Sequence, residues 1–174
     1  MKVINVHERP FNLPPEQIGK AIDSLAGSSN ILWPVDKWIP MELDQGLCVG
    51  SSGGHGFIKY TVTEYIPGKR AVFQFDQAGA LAAFDGRHYF EVVPRRDHVL
   101  LRHVVEGECG FKNWLFWHLF IGPLHDALLE DGLDLAENNL TGSSKTTSWG
   151  LWVKYLLYMV VRQEAKKSGR IDAV

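Results

Sequence analysis

"FIKYTVTEYIPGKRAVFQFD", residues 57–76, sets two runs of period two around a stop at Pro67-Gly68. Apolar and polar side chains alternating every second residue mark strands with one buried face, and the Pro-Gly break between them turns the chain. The pattern returns in "RHYFEVV" (87–93) and "HVLLRHVVEG" (98–107), joined by the polar "PRRD". Connections this short favour an antiparallel meander, because parallel pairing needs crossovers of about a dozen residues or more. Upstream, "LCVG" (47–50) reads as a further short strand before a Gly/Ser turn that carries His55. A phosphate loop would lead from strand into helix with Lys-Ser/Thr following; here a strand follows, so the glycines serve a connection.

Outward from this meander, "KVINVHERPF" (2–11) sets Val3, Asn5 and His7 against Ile4, Val6 and Glu8, and reads as a first strand. "LPPEQIGKAIDSLAG" (13–27) has Pro at its start and Ile18, Ile22 and Leu25 at helical spacing. "ILWPVDKWIP" (31–40) holds two prolines and two tryptophans and predicts an irregular crossover. After the meander, "FKNWLFWHLF" and "PLHDALLEDGLDLAENNL" (111–140) predict one interrupted helix or two abutting ones around Gly122-Pro123. Leu124, Leu128 and Leu135 form an apolar stripe; Asp126, Glu130, Asp134 and Glu137 line another face, expected to be solvated. "TGSSKTTS" reads as a linker, and "WGLWVKYLLYMVVRQEAKK" (149–167) as a last helix.

The 174 residues suit one domain, and a charge of −2 without a basic run argues against a nucleic-acid partner. The start lacks the apolar core of a signal peptide, which predicts a cytoplasmic protein. Cys48 and Cys109 lack metal-ligand spacing and are expected to be buried free thiols. Six tryptophans and nine phenylalanines imply a bulky core or an apolar cavity. An antiparallel sheet of this size needs a cover for its apolar face, and the long helix is the element large enough to supply it.

These segments, with "Y-x-V-x-E-Y-x-P-G" at Tyr60–Gly68 and "PLHDALLED" at Pro123–Asp131 as the strongest pieces, resemble the SRPBCC or START-like superfamily. The likeness is to bacterial members often labelled polyketide cyclase or dehydrase, and it covers roughly residues 2–140. It implies an α+β helix-grip fold: a curved antiparallel sheet wrapped around a long C-terminal helix, enclosing a cavity for a hydrophobic small molecule. It implies no single reaction, since the superfamily includes binders, carriers, cyclases and hydrolases. Residues 1–140 are expected to form this domain. Residues 141–174 would add a linker and an extra helix packed on the body or on a second subunit; a membrane-surface anchor, with Arg162, Lys166, Lys167 and Arg170 at the headgroups, is the alternative.

The same alternation nominates side chains for the cavity. His88 shares a face with Phe90 and Val92, and His103 with Val99, Leu101 and Val105, which directs both imidazoles inward with Tyr60. Both are candidate ligand-orienting groups and, if the protein is an enzyme, candidate general acid–base residues; core packing is the plainer alternative. Trp33, Trp38, Phe90, Trp114 and Trp117 would supply contact area, His55 would guard the entrance, and His118 lies at the edge of the same region. The histidines and carboxylates show no compact metal-binding spacing, and no metal or cofactor is expected. Binding of an apolar molecule, cyclase- or dehydratase-type catalysis, and interaction through the last helix are the three functions these features support.

Overall fold

The computed structural model describes residues 1–77 and 83–167, with side chains through 162. Seven strands form one antiparallel sheet: β1 (Lys2–Phe11), β2 (Glu42–Leu43), β3 (Ser52–His55), β4 (Ile58–Ile66), β5 (Arg70–Phe75), β6 (Phe84–Pro94) and β7 (Val99–Cys109). Their order across the sheet is β1-β7-β6-β5-β4-β3-β2. Helix α1 (Pro15–Asp23) follows β1. The long helix runs through α2 (Phe111–Phe116), a π turn (Trp117–Ile121) and α3 (Gly122–Thr141), and α4 (Leu151–Lys167) comes last.

The meander forms as its alternation predicts, with β4–β5 and β6–β7 as antiparallel pairs. Phe84, His88 and Phe90 of β6 and Val99, Leu101, His103 and Val105 of β7 are buried, as are Tyr60 and Val62 of β4. The Gly/Ser stretch departs from expectation. "LCVG" lies in turns, and the Gly/Ser run is itself strand β3, paired with β2 on one side and β4 on the other. The reason is close approach: a Cβ on Gly53 would stand 1.9 Å from the Glu42 carbonyl oxygen, and one on Gly54 1.9 Å from that of Ile58. Only glycine permits both backbones so near. Cys48, in the preceding turns, is half-buried rather than buried, whereas Cys109 is buried.

Pro123 does not end the long helix. Proline has no N–H to offer the carbonyl four residues back and crowds it. The helix absorbs the conflict by widening into the π turn, where the Gly122 amide reaches Trp117 O. The Leu119 carbonyl, which Pro123 cannot bond, accepts the indole N–H of Trp152 at 2.9 Å. This contact anchors α4 on the body. Leu156 is buried beneath α4, with the partly covered Trp152 one turn earlier on the same face, while Leu151, Tyr155 and Tyr158 are exposed. Of the basic residues at its end, the side chains of Lys166 and Lys167, and all of Arg170, lie outside the described residues. Among the described residues no helix is long and apolar enough to cross a membrane.

Helix α1 packs where the chain turns between β4 and β5. Asp23 accepts hydrogen bonds from the Tyr65 hydroxyl (2.9 Å) and the Gly68 amide (2.7 Å). Gly19 faces the same turn so closely that an added Cβ would sit 2.2 Å from the Gly68 carbonyl oxygen. Gly19→Ala is therefore expected to destabilise the fold by about 1–3 kcal/mol, the usual range for overpacking, measured by urea unfolding.

Candidate functional site

Between the concave face of the sheet, the long helix and α4 lies a partly enclosed cavity with about 100 Å³ open to the centre of a water molecule. Trp33, Trp38 and Ile39 of the crossover, His55–Ile58, Phe75, His88 and His103 of the sheet line it, with Trp117, Ile121, Leu124, His125, Leu128 and Leu129 of the long helix. Leu157 and Val160 of α4 complete the wall.

Six of the ten nominated binding residues reach it: Trp33, Trp38, His55, His88, His103 and Trp117. Tyr60 and Phe90 sit behind the wall as supports. Tyr60 OH lies 3.2 Å from His55 Nδ1, and the Phe90 ring packs 4.4 Å from that of His103. Trp114 and His118 do not line the cavity. They pack on each other, ring centroids 4.2 Å apart, with the His118 Nδ1 held 2.8 Å from Trp114 O on the exposed side of the helix. His125, which is not among the nominated residues, comes onto the wall instead.

The polar character of the wall comes from four imidazoles. His88 Nδ1 and His103 Nε2 are 3.2 Å apart, one donating and one accepting, while His88 Nε2 and His103 Nδ1 are buried without a partner among the described residues. The Phe73 and Phe75 rings stack on His88 at 4.8 and 5.0 Å and fix its plane. Burial drives His88 and His103 well below the usual histidine range, reinforced by the neighbouring histidines. His55 is pushed down to about 3, first by burial and then by His125 and Lys59. His125 is lowered by burial despite the nearby Asp126 carboxylate. Neutral imidazole offers one donor and one acceptor, so these rings can orient a polar atom without placing charge in an apolar space.

Beside the cavity, the carboxylate face of α3 is paired with the sheet: Asp134 is buried, Glu130 and Glu137 are partly buried, and Asp126 stays exposed. Strand β1 lies along it: Asn5 Nδ2 donates to Asp126 Oδ1 (2.8 Å), His7 Nδ1 to Glu130 Oε1 (2.8 Å), and Arg9 to Asp134 and Glu137 (2.8 and 2.5 Å). His7 Nε2 also lies 3.1 Å from Asp126 Oδ1. Burial lowers the affinity of His7 for a proton, but its bonds to both carboxylates outweigh this and raise its pKa. His7, His125 and Asp126 are the one set among the described residues whose donor atoms come close enough to hold a metal ion. A strand and a helix more than a hundred residues apart supply it, which local spacing does not reveal.

No protein-family model matches the chain, and no curated protein sequence matches it. Solved structures do. CalU16 from Micromonospora echinospora superposes with a TM-score of 0.53 at 11% identity, covering 98% of this chain and 89% of its own. Norcoclaurine synthase from Thalictrum flavum, in complex with dopamine and hydroxybenzaldehyde, gives 0.58 at 18% identity over 83% and 90%. A protein from Thermobifida fusca gives 0.58 at 14% identity over 86% and 99%. The chain has the START-like helix-grip fold. At these identities the likeness is one of architecture, and the chemistry of the cavity belongs to this sequence's own residues.

One buried carboxylate holds the cavity's outer wall together. Asp131 of α3, its side chain fully buried, accepts from Trp38 Nε1 (2.8 Å), Trp149 Nε1 (2.9 Å) and Lys37 Nζ (3.0 Å). It ties the crossover and the segment leading into α4 to the long helix. Asp131→Ala leaves two indole donors unpaired and is expected to cost about 3 kcal/mol in urea unfolding, with Trp fluorescence shifting toward that of solvated indole.

Proposed function

We propose that the protein binds one small, mostly apolar molecule in this cavity and orients its polar atom on the histidines. The observation that carries the proposal is the pairing of an apolar wall with buried, unpaired ring nitrogens on His88 and His103. Buried polar atoms are normally hydrogen-bonded, so a ligand hydroxyl or carbonyl would complete the wall's bonding as well as fill its space. Burying about 200 Å² of apolar ligand surface contributes about 5 kcal/mol before ordering costs. Small aromatic molecules fit the aromatic wall, and the norcoclaurine synthase complex with dopamine and hydroxybenzaldehyde supplies a precedent within the fold. Proton transfer by His88 and His103 on the bound molecule is a second reading, favoured by the same two nitrogens. Turnover that persisted in both His88→Ala and His103→Ala would remove it.

The test is displacement of 1-anilinonaphthalene-8-sulfonate by neutral phenols, aromatic aldehydes and short fatty acids, with native mass spectrometry to catch co-purifying molecules. Phenols or aldehydes are expected to displace the dye at micromolar concentrations. Val160→Trp, which fills the wall from α4, should abolish displacement. His103→Phe should weaken phenols by about tenfold, the loss of one hydrogen bond, and spare a purely hydrocarbon ligand. Displacement by none of these classes, or unchanged binding in Val160→Trp, would overturn the proposal.

A further inference from the structure

The seam between β1 and α3 holds a second feature that the cavity does not explain. Four buried side-chain atoms lack a hydrogen-bond partner among the described residues: two belong to the paired imidazoles of His88 and His103, and the other two, His125 Nδ1 and Asn5 Oδ1, belong to residues of this seam. Around them stand His7 and Asp126. We propose that His7, His125 and Asp126 form a binding site for a divalent transition-metal ion of the zinc type.

The donor atoms of the three residues lie within 4.8 Å of one another. His7 Nε2 is 3.1 Å and His125 Nδ1 3.9 Å from Asp126 Oδ1. Zinc bound tetrahedrally at about 2.0–2.1 Å sets its ligand atoms roughly 3.3 Å apart. The two distances bracket that value, and the remaining contraction falls to His125, whose Nδ1 has no bond to break. Two imidazoles and one carboxylate form the donor set that suits zinc and its neighbours rather than magnesium or calcium.

The surroundings fit the same purpose. Glu130 Oε1 holds His7 Nδ1 at 2.8 Å, which orients the ring and directs Nε2 toward Asp126. Asn5 Nδ2 fixes the same Asp126 oxygen from the other side. Asp126 is exposed, so an ion can arrive from solvent, and His125 also lines the cavity. The ion would cross-link the first strand to the long helix at the back of the cavity wall. An ion-pair network alone would account for His7 and Asp126, but it leaves His125 Nδ1 unsatisfied among the described residues.

The full chain, stripped with chelator and dialysed, is titrated with Zn²⁺ by calorimetry and with Co²⁺ by visible absorption. One ion per chain is expected, with a tetrahedral cobalt spectrum and a higher Tm in the presence of zinc. Asp126→Asn and His7→Gln should each weaken binding by at least about tenfold and remove the cobalt band. Asp126 is exposed, so its isosteric replacement keeps the fold, as circular dichroism would verify. His118→Ala, an exposed histidine away from the seam, should change nothing. Failure of the wild-type chain to hold either ion, folded Asp126→Asn and His7→Gln variants that bind like it, or loss of binding in His118→Ala would overturn the proposal.

Discussion

The structure depends on a match of spacing between its first strand and its long helix. Side chains two apart on a strand are separated by about 6.6–6.8 Å, and those four apart on a helix by about 6 Å. Asn5, His7 and Arg9 can therefore meet Asp126, Glu130 and Asp134 rung by rung. Each rung pairs a donor on the sheet with a carboxylate on the helix, which fixes how far the helix slides along the sheet. Apolar packing alone would tolerate such sliding, because dispersion and burial carry little direction. Every cavity-lining residue of α3 takes its height from this ladder.

On the apolar side, the two surfaces leave a gap. The sheet contributes imidazoles braced from behind: His55 by Tyr60, His88 by Phe73 and Phe75, and His103 by Phe90. The helix contributes Leu124, Leu128 and Leu129, and α4 closes the space with Leu157 and Val160. The rings are thus braced in place before any ligand arrives, and a binding site preorganised in this way loses little entropy on binding.

Much of the sheet was legible in the sequence because period two is a local property. Val3, Asn5 and His7 on one side of β1, and His88, Phe90, His103 and Val105 on the inner face, follow directly from alternation. The Gly/Ser run was misread because strand propensity penalises glycine, whereas here its missing side chain allows β2 and β4 to approach β3. On the helix, Trp114, Trp117 and His118 were nominated for their place near the expected entrance rather than by helical phase, and of the three Trp117 reaches the wall, whereas His125 was not nominated. The charged face of α3 looked solvated because its partners on β1 lie more than a hundred residues earlier, beyond any window of periodicity. Asp131 was missed for the same reason: its donors Lys37 and Trp38 come from a crossover without regular structure, and Trp149 from beyond the linker.

The Trp152 indole ties access to the cavity to the shape of the long helix. It occupies the carbonyl that Pro123 deprives of a donor, so the lid mends the weakest point in the backbone of the frame. Withdrawing α4 would bare that oxygen at the one turn already widened to five residues, while lifting Leu157 and Val160 off the opening. One proline thus links the seating of α4 to the backbone geometry of the long helix.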